Sequence, residues 1–196
     1  MHAATRSDRR FMPRTWLLFM LLCCSLLACG LTAHPHAAPR NVAVVQNFDL
    51  SRYAGSWYVL ARIDHPSEQG LIQTGAYYHG NQDGSLSMVQ RGLDPASGQW
   101  SKRESLAVPT RSPHEGAMRM SPQGAAASDY NVVAIDKDYR WAVVLGANAT
   151  RSWVLSRTPN LPTHARMELL QQARAAGVNT EQLLWVPQER TAATLL

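Results

Sequence analysis

The 196-residue sequence predicts an all-β protein: an eight-stranded antiparallel up-and-down barrel with a C-terminal α-helix packed on its outside. Three observations carry that expectation. Between residues 56 and 158 apolar and polar residues alternate at period two, in short runs divided by turn residues. The dividers are too short for crossovers, so neighbouring strands must be antiparallel. Eight such strands close most simply on themselves, because closure leaves no exposed edge.

The chain opens with a leader. Arg6, Arg9, Arg10 and Arg14 precede an uncharged run of 13 residues, Trp16 to Ala28, which is too short to span a bilayer comfortably. The pattern is that of a secretion signal over 1–28. It ends in Leu26-Leu27-Ala28-Cys29, which resembles the bacterial lipobox. That resemblance implies cleavage before Cys29 and acylation of its sulfur and its new amino group. Cys23 and Cys24 would leave with the leader, so neither a disulfide framework nor a thiol nucleophile is expected. The leader also holds four of the 19 basic residues and one of the 14 acidic ones, so the remainder is nearly balanced. No basic run with interleaved aromatics points to nucleic acid.

Residues 29–46, small and Pro-containing, read as a tether to a domain over 47–190. His34-Pro35-His36 lacks a third ligand, so no metal is assigned. No cofactor is expected. The strand runs are 56–64, 71–80, 85–94, 98–109, 115–121, 128–136, 140–147 and 151–158. Asp83-Gly84 reads as a two-residue hairpin turn between the second and third. In the first run Trp57, Val59, Ala61 and Ile63 share one face, with Tyr58, Leu60 and Arg62 on the other. Trp153, Leu155 and Arg157 share a face of the eighth, and Met118 and Met120 one of the fifth. "YNVVAID" and "RWAVVLG" are apolar on both faces and leave their inward side open.

Period then changes. "LPTHARMELLQQARAAG" predicts a helix, with Pro162 in its first turn and Gly177 at its C-terminal cap. Leu169, Leu170, Ala173 and Ala176 form its apolar stripe, suited to covering the barrel wall. "LLWVP" (183–187) reads as one further short strand.

Three motifs stand in order on this pattern: Gly55-x-Trp57-Tyr58 on the first strand, Asp129-Tyr130 on the sixth, and Arg157 ending the eighth. Together they resemble the lipocalin family, specifically bacterial outer-membrane lipocalin lipoproteins, over about Asn47 to Gln188. Ser128 stands where many members carry threonine. The resemblance implies that Trp57 closes the narrow end of the barrel with Arg157 packed across its ring, a structural pair rather than a catalytic one.

A barrel of eight strands is wide enough for one small ligand. The expected cup is lined by Val59, Ala61, Ile63, Tyr78, Met88, Trp100, Met118 and Met120, with Arg62 and His65 at the rim. The resemblance implies a fatty acid or lysophospholipid as ligand. It also implies a carrier anchored through Cys29 in the outer membrane, facing the periplasm, and leaves homodimer formation open. Two other classes remain: a lipocalin-fold enzyme acting on a lipid ester, and a structural envelope protein without a ligand. The absence of a Gly-x-Ser-x-Gly elbow and the scatter of the histidines argue for binding rather than catalysis.

Overall fold

The computed structural model describes residues 42–188. The leader, Cys29 and the tether through residue 41 lie outside the described residues. A short helix α1 (Leu50–Tyr53) leads into β1 (Gly55–Arg62), β2 (Ile72–Gly80), β3 (Leu86–Asp94) and β4 (Gln99–Pro109). Then follow β5 (Ala117–Pro122), β6 (Ser128–Ile135), β7 (Trp141–Leu145) and β8 (Ser152–Ser156). Helix α2 (Thr163–Ala175), a 3₁₀ turn (Thr180–Gln182) and β9 (Leu184–Trp185) are the last elements of the described residues. Each strand pairs antiparallel with the next, and β1 pairs with both β8 and β2, so the sheet closes. Each expected run overlaps one strand.

Two boundaries differ from the sequence reading. The N-terminal edge of the domain lies before Asn47: Val45 N–H donates to Val132 O (2.9 Å), and Gly116 N–H donates to Val45 O (2.9 Å). Val44 is buried and Gln46 bridges to Glu115, so residues 44–46 belong to the barrel and not to a tether. The β2–β3 loop is also longer than two residues. Asn81 N–H donates to Ser85 O (2.9 Å) and Gly84 N–H to Asn81 O (3.1 Å), which leaves three residues between the paired ends. A two-residue Asp-Gly turn needs positive φ at both positions, whereas here only Gly84 has it (φ +80°). The Asp83 carboxylate instead accepts from Ser85 N–H (3.0 Å) and Oγ (2.6 Å), fixing the wider loop.

The largest departure is a β-bulge in β1. Val59 pairs with Leu155 but Ala61 pairs with Val154 and Arg62 with Trp153, so one extra residue, Leu60, is inserted. A bulge reverses the alternation beyond it. Trp57 and Val59 therefore face the interior, while Leu60 and Ala61 both lie in the cluster outside the wall, with Ile63 packed against it. Arg62, expected on the opposite face from Val59, turns inward beside Trp153. A second shift between Val132 and Ala134 does the same to β6. Val132 joins the interior and Ala134 the outside.

The outside cluster explains the two apolar faces of β7. Ala142 and Val144 face the interior; Trp141, Val143 and Leu145 lie under α2. Ala165, Leu169 and Ala173 are the buried residues of the helix, with Leu170 and Ala176 at the margin of the contact. Pro162 stands at the N-cap, one position before the first turn. At the other end Gly177 N–H donates to Arg174 O (2.9 Å) and Val178 N–H to Ala173 O (3.0 Å). That pair of bonds is a Schellman cap, with Val178 and Ala173 in apolar contact range within one cluster.

The barrel closes in two ways around β1. Its first half, Gly55–Tyr58, pairs with β2. Its second half pairs with β8 and with β9. Along that upper half the seam to β2 is stitched by the C-terminal segment: Val186 N–H donates to Leu60 O (2.9 Å) and Gln73 N–H to Pro187 O (2.9 Å). The Gln188 side-chain amide spans both walls, donating to Val59 O (2.8 Å) and Thr74 O (3.1 Å).

Candidate functional site

The closed end is built first by the chain itself. Asp49 caps α1, its carboxylate accepting from Ser51 N–H (2.8 Å) and Arg52 N–H (3.2 Å). Trp57 is fully buried and donates its indole N–H to Tyr53 O (2.7 Å). Arg157 lies over that indole with its Cζ 3.8 Å from the ring centroid. Its guanidinium donates to the carbonyls of Arg52 (2.6 Å), Ala54 (2.9 Å) and Ser56 (2.8 Å), satisfying the end of α1 and the start of β1. Gly55 lets this happen: its φ of +93° disfavours other residues, and a Cβ there would stand 3.3 Å from Arg157 Nη1. Burial lowers the pKa of Arg157 from its ordinary value.

Above this plug stands a floor of three phenols. Tyr130 OH lies 2.6 Å from Tyr53 OH and 2.7 Å from Tyr78 OH, all three rings being buried. Desolvation pushes the Tyr78 pKa to about 12, and raises those of Tyr53 and Tyr130 well above their usual value. The floor is thus neutral and hydrogen-bonded.

Over the floor lies an inner chamber of about 90 Å³. Val59, Tyr78, Met88 and Met120 of the expected lining face it, together with Ala76, Ser105, Tyr130, Trp153 and Leu155. Met118 is buried in the same interior core. Three of the expected lining residues lie elsewhere, for definite reasons. Ala61 and Ile63 are carried outside by the β1 bulge. Trp100 is 42% exposed, since inward-facing Arg103, Ser105 and Ala107 place the even positions of β4 outside. Tyr58 packs against the cluster under α2. Asp129 borders the chamber and accepts from Arg119 Nη1 (2.8 Å).

The mouth is occupied by the β1–β2 loop. Glu68, 5% exposed, accepts from Gln90 Nε2 (2.9 Å) and from Trp153 Nε1 (3.1 Å). Arg62 is not a rim residue: it is fully buried and donates Nη2 to Glu68 O (2.6 Å) and Leu71 O (3.1 Å). Its Nε lies 3.6 Å from the Glu68 carboxylate and 3.5 Å from that of Asp64, so the buried charge is compensated. His65 does sit in the rim loop, but its Nδ1 accepts from Ser67 N–H (3.3 Å) and meets Ser67 Oγ (3.0 Å), closing a turn. A second chamber of about 190 Å³ lies under the same loop, beside Leu71, Thr74 and Ser101. Ser67, Glu68, Gln90 and Arg103 line both chambers, so they form a partition. Sequence reasoning missed these residues; a glutamate within a polar loop carries no signal that it points inward.

A lipocalin-like domain model matches residues 48–188. The outer membrane lipoprotein Blc of Escherichia coli K12 is 39% identical over 150 residues, covering 76% of this chain and 85% of that protein. Its namesake from Vibrio cholerae is 32% identical, covering 88% and 98%. Among solved structures, insecticyanin from the tobacco hornworm Manduca sexta superposes with a TM-score of 0.64 at 15% identity, over 78% of this chain and 87% of that one. That last likeness concerns the fold alone.

Proposed function

Since this chain belongs to the lipocalin-like family, we propose that it is a lipid-binding lipoprotein that holds a single-tailed lipid, a fatty acid or lysophospholipid, in its barrel. Its location is that of its relatives, the outer membrane, through a lipid anchor. We take Cys29 as the point of attachment. The observation that carries the reading is an interior sealed at one end by Trp57 and Arg157 and hollow above the phenol floor, with apolar walls of Val59, Ala76, Met88, Met120 and Leu155.

Size refines it. Ligand cavities generally run to about 300–1,000 Å³. Neither chamber reaches that alone, at about 90 and 190 Å³. Withdrawal of Ser67 and Glu68 from between them joins the two and approaches the lower limit. A tail in the joined cup gains about 25 cal/mol per Å² of apolar surface removed from water, with its head left at the wet mouth. A second chain has no room.

The test is a titration of the full-length protein, held in amphipol, with lysophospholipid, fatty acid and diacyl phospholipid, following indole emission. Trp153 borders the inner chamber and reports occupancy. Saturable binding of the single-tailed lipids, weakened by Ala76→Phe in a protein that still melts cooperatively, supports the cup. Equal binding of all three, or no effect of filling the position of Ala76, removes the barrel interior as the site.

A further inference from the structure

We propose that Arg151 and Ser105, with Arg103, form a subsite for an anionic oxygen group, either the carboxylate or phosphate of a bound lipid's head or a free phosphate ion. The inference rests on the reading of the barrel as a lipid cup and specifies what its polar end takes.

Its basis is a set of donors left without partners in one cavity. Arg151 and Ser105 both line the inner chamber. Arg151 Nε and Ser105 Oγ are buried and have no hydrogen-bond partner. Ser105 is 9% exposed and stands between Met88 and Pro122 in the ladder. Buried donors without partners are uncommon, and each costs free energy that a ligand oxygen recovers.

The charges point the same way. Arg62, Arg119 and Arg140 each face a carboxylate, at 3.5, 2.8 and 2.8 Å. Among the described residues neither Arg103 nor Arg151 does. Arg103 has a long contact to Ser67 O (3.4 Å), and Arg151 only its backbone bonds to Gly146 and Asn148. The Arg151 stem is set by Gly146, where a Cβ would stand 3.0 Å from Arg151 Cβ. The half-buried guanidinium of Arg151 beside a buried hydroxyl, with the exposed Arg103 at the chamber's edge, matches the multiple oxygens of a carboxylate or phosphate. Two carboxylates also border this chamber, and each has a cationic partner elsewhere: Asp129 is held by Arg119 (2.8 Å), and Glu68 shares Arg62 with Asp64.

The full-length protein in amphipol is titrated with palmitate, with hexadecanol, which has the same tail and no charge, and with inorganic phosphate. Palmitate binding about tenfold more tightly than hexadecanol supports the subsite with a lipid head as its occupant, provided Arg151→Gln erases the difference and leaves hexadecanol unchanged. A saturable phosphate response that Arg151→Gln abolishes supports it with the free ion as occupant. Equal binding of palmitate and hexadecanol, without a phosphate response, overturns it. Binding of neither tail removes the lipid reading, and the phosphate arm alone then decides the subsite. If Arg151→Gln does not fold, Ser105→Ala takes its place: a roughly threefold loss for palmitate and none for hexadecanol is expected, and no loss for either overturns the role of Ser105.

Discussion

The guanidinium of Arg157 lies 3.8 Å above the indole of Trp57, and both side chains bond to the same carbonyl, that of Tyr53. The pair joins the first strand of the barrel to the end of the eighth through a backbone atom of the helix beneath them. Closure of the narrow end is therefore one cooperative unit.

Trp57→Ala should destabilise the protein by about 3–5 kcal/mol, the range for truncating a large buried aromatic. Arg157→Ala should cost less, and the double variant should cost less than the two losses added, by about 0.5–3 kcal/mol. Urea unfolding of the four proteins measures the coupling. Additive losses would mean that the stacking contributes nothing of its own.

Tyr130→Phe should be more damaging than Tyr53→Phe, since it leaves two buried hydroxyls without their shared partner, at about 1–3 kcal/mol each. The phenols also set an alkaline limit. Because the Tyr78 pKa is raised to about 12 in the folded state, its contribution is complete below the ordinary tyrosine pKa of about 10 and is lost as pH rises through 12. Melting temperatures between pH 9 and 12 should fall more steeply for the wild type than for Tyr78→Phe. Parallel curves would show the hydroxyl to be irrelevant.

Asp136 contributes to stability in acid. Its carboxylate accepts from Arg140 Nε and Nη2, both at 2.8 Å, and is pulled down to about 2. The contribution is present above the ordinary aspartate value of about 4 and is lost as pH falls towards 2. Asp136→Asn should flatten that part of the stability profile, read by circular dichroism from pH 5 to 2.

Glu68→Ala should unfold more readily, because it removes the more buried of the two carboxylates beside a fully buried Arg62. Breaking such a pair costs about 3–5 kcal/mol. Arg62→Leu with Glu68→Leu, which removes both charges, should recover much of the loss. A double variant as unstable as Glu68→Ala would assign the cost to lost packing instead.

Ala61→Trp distinguishes the inside of the wall from the outside. As one of the expected lining residues, Ala61 replaced by tryptophan would fill the cup and abolish ligand binding. Ala61 is instead fully buried in the cluster beneath α2. The variant should destabilise by at least about 1–3 kcal/mol through overpacking, while any folded fraction binds as the wild type does.

The strands were legible because period-two alternation and turn residues are local properties, and local properties survive in the ladder. The bulge at Leu60 was not, because it shows only in the register of β1 against β8, and nothing in "YVLAR" marks the extra residue. Everything counted beyond it changed sides, which moved Ala61, Ile63 and Arg62 together. Trp100 misled for another reason: a large aromatic on an antiparallel barrel has no obligation to face inward. The closed end was readable through its motifs, whereas the partition at Glu68 depends on a loop folding back, a tertiary event with no periodic signature.

The stitched seam between β1 and β2 has a consequence for the order of assembly. The lower half of that seam needs only the first two strands, but its upper half needs Val186, Pro187 and Gln188. A chain that emerges N-terminus first, from a ribosome or a translocation channel, can make seven of the barrel's ladders while the eighth stays half unzipped. The wall becomes continuous when Gln188 arrives, 129 positions after Val59, to whose carbonyl its side-chain amide donates. The hollow is thus enclosed only after the segment that follows the helix has been made, and a truncation that spares every barrel strand but removes residues 186–188 should leave a gap in its side.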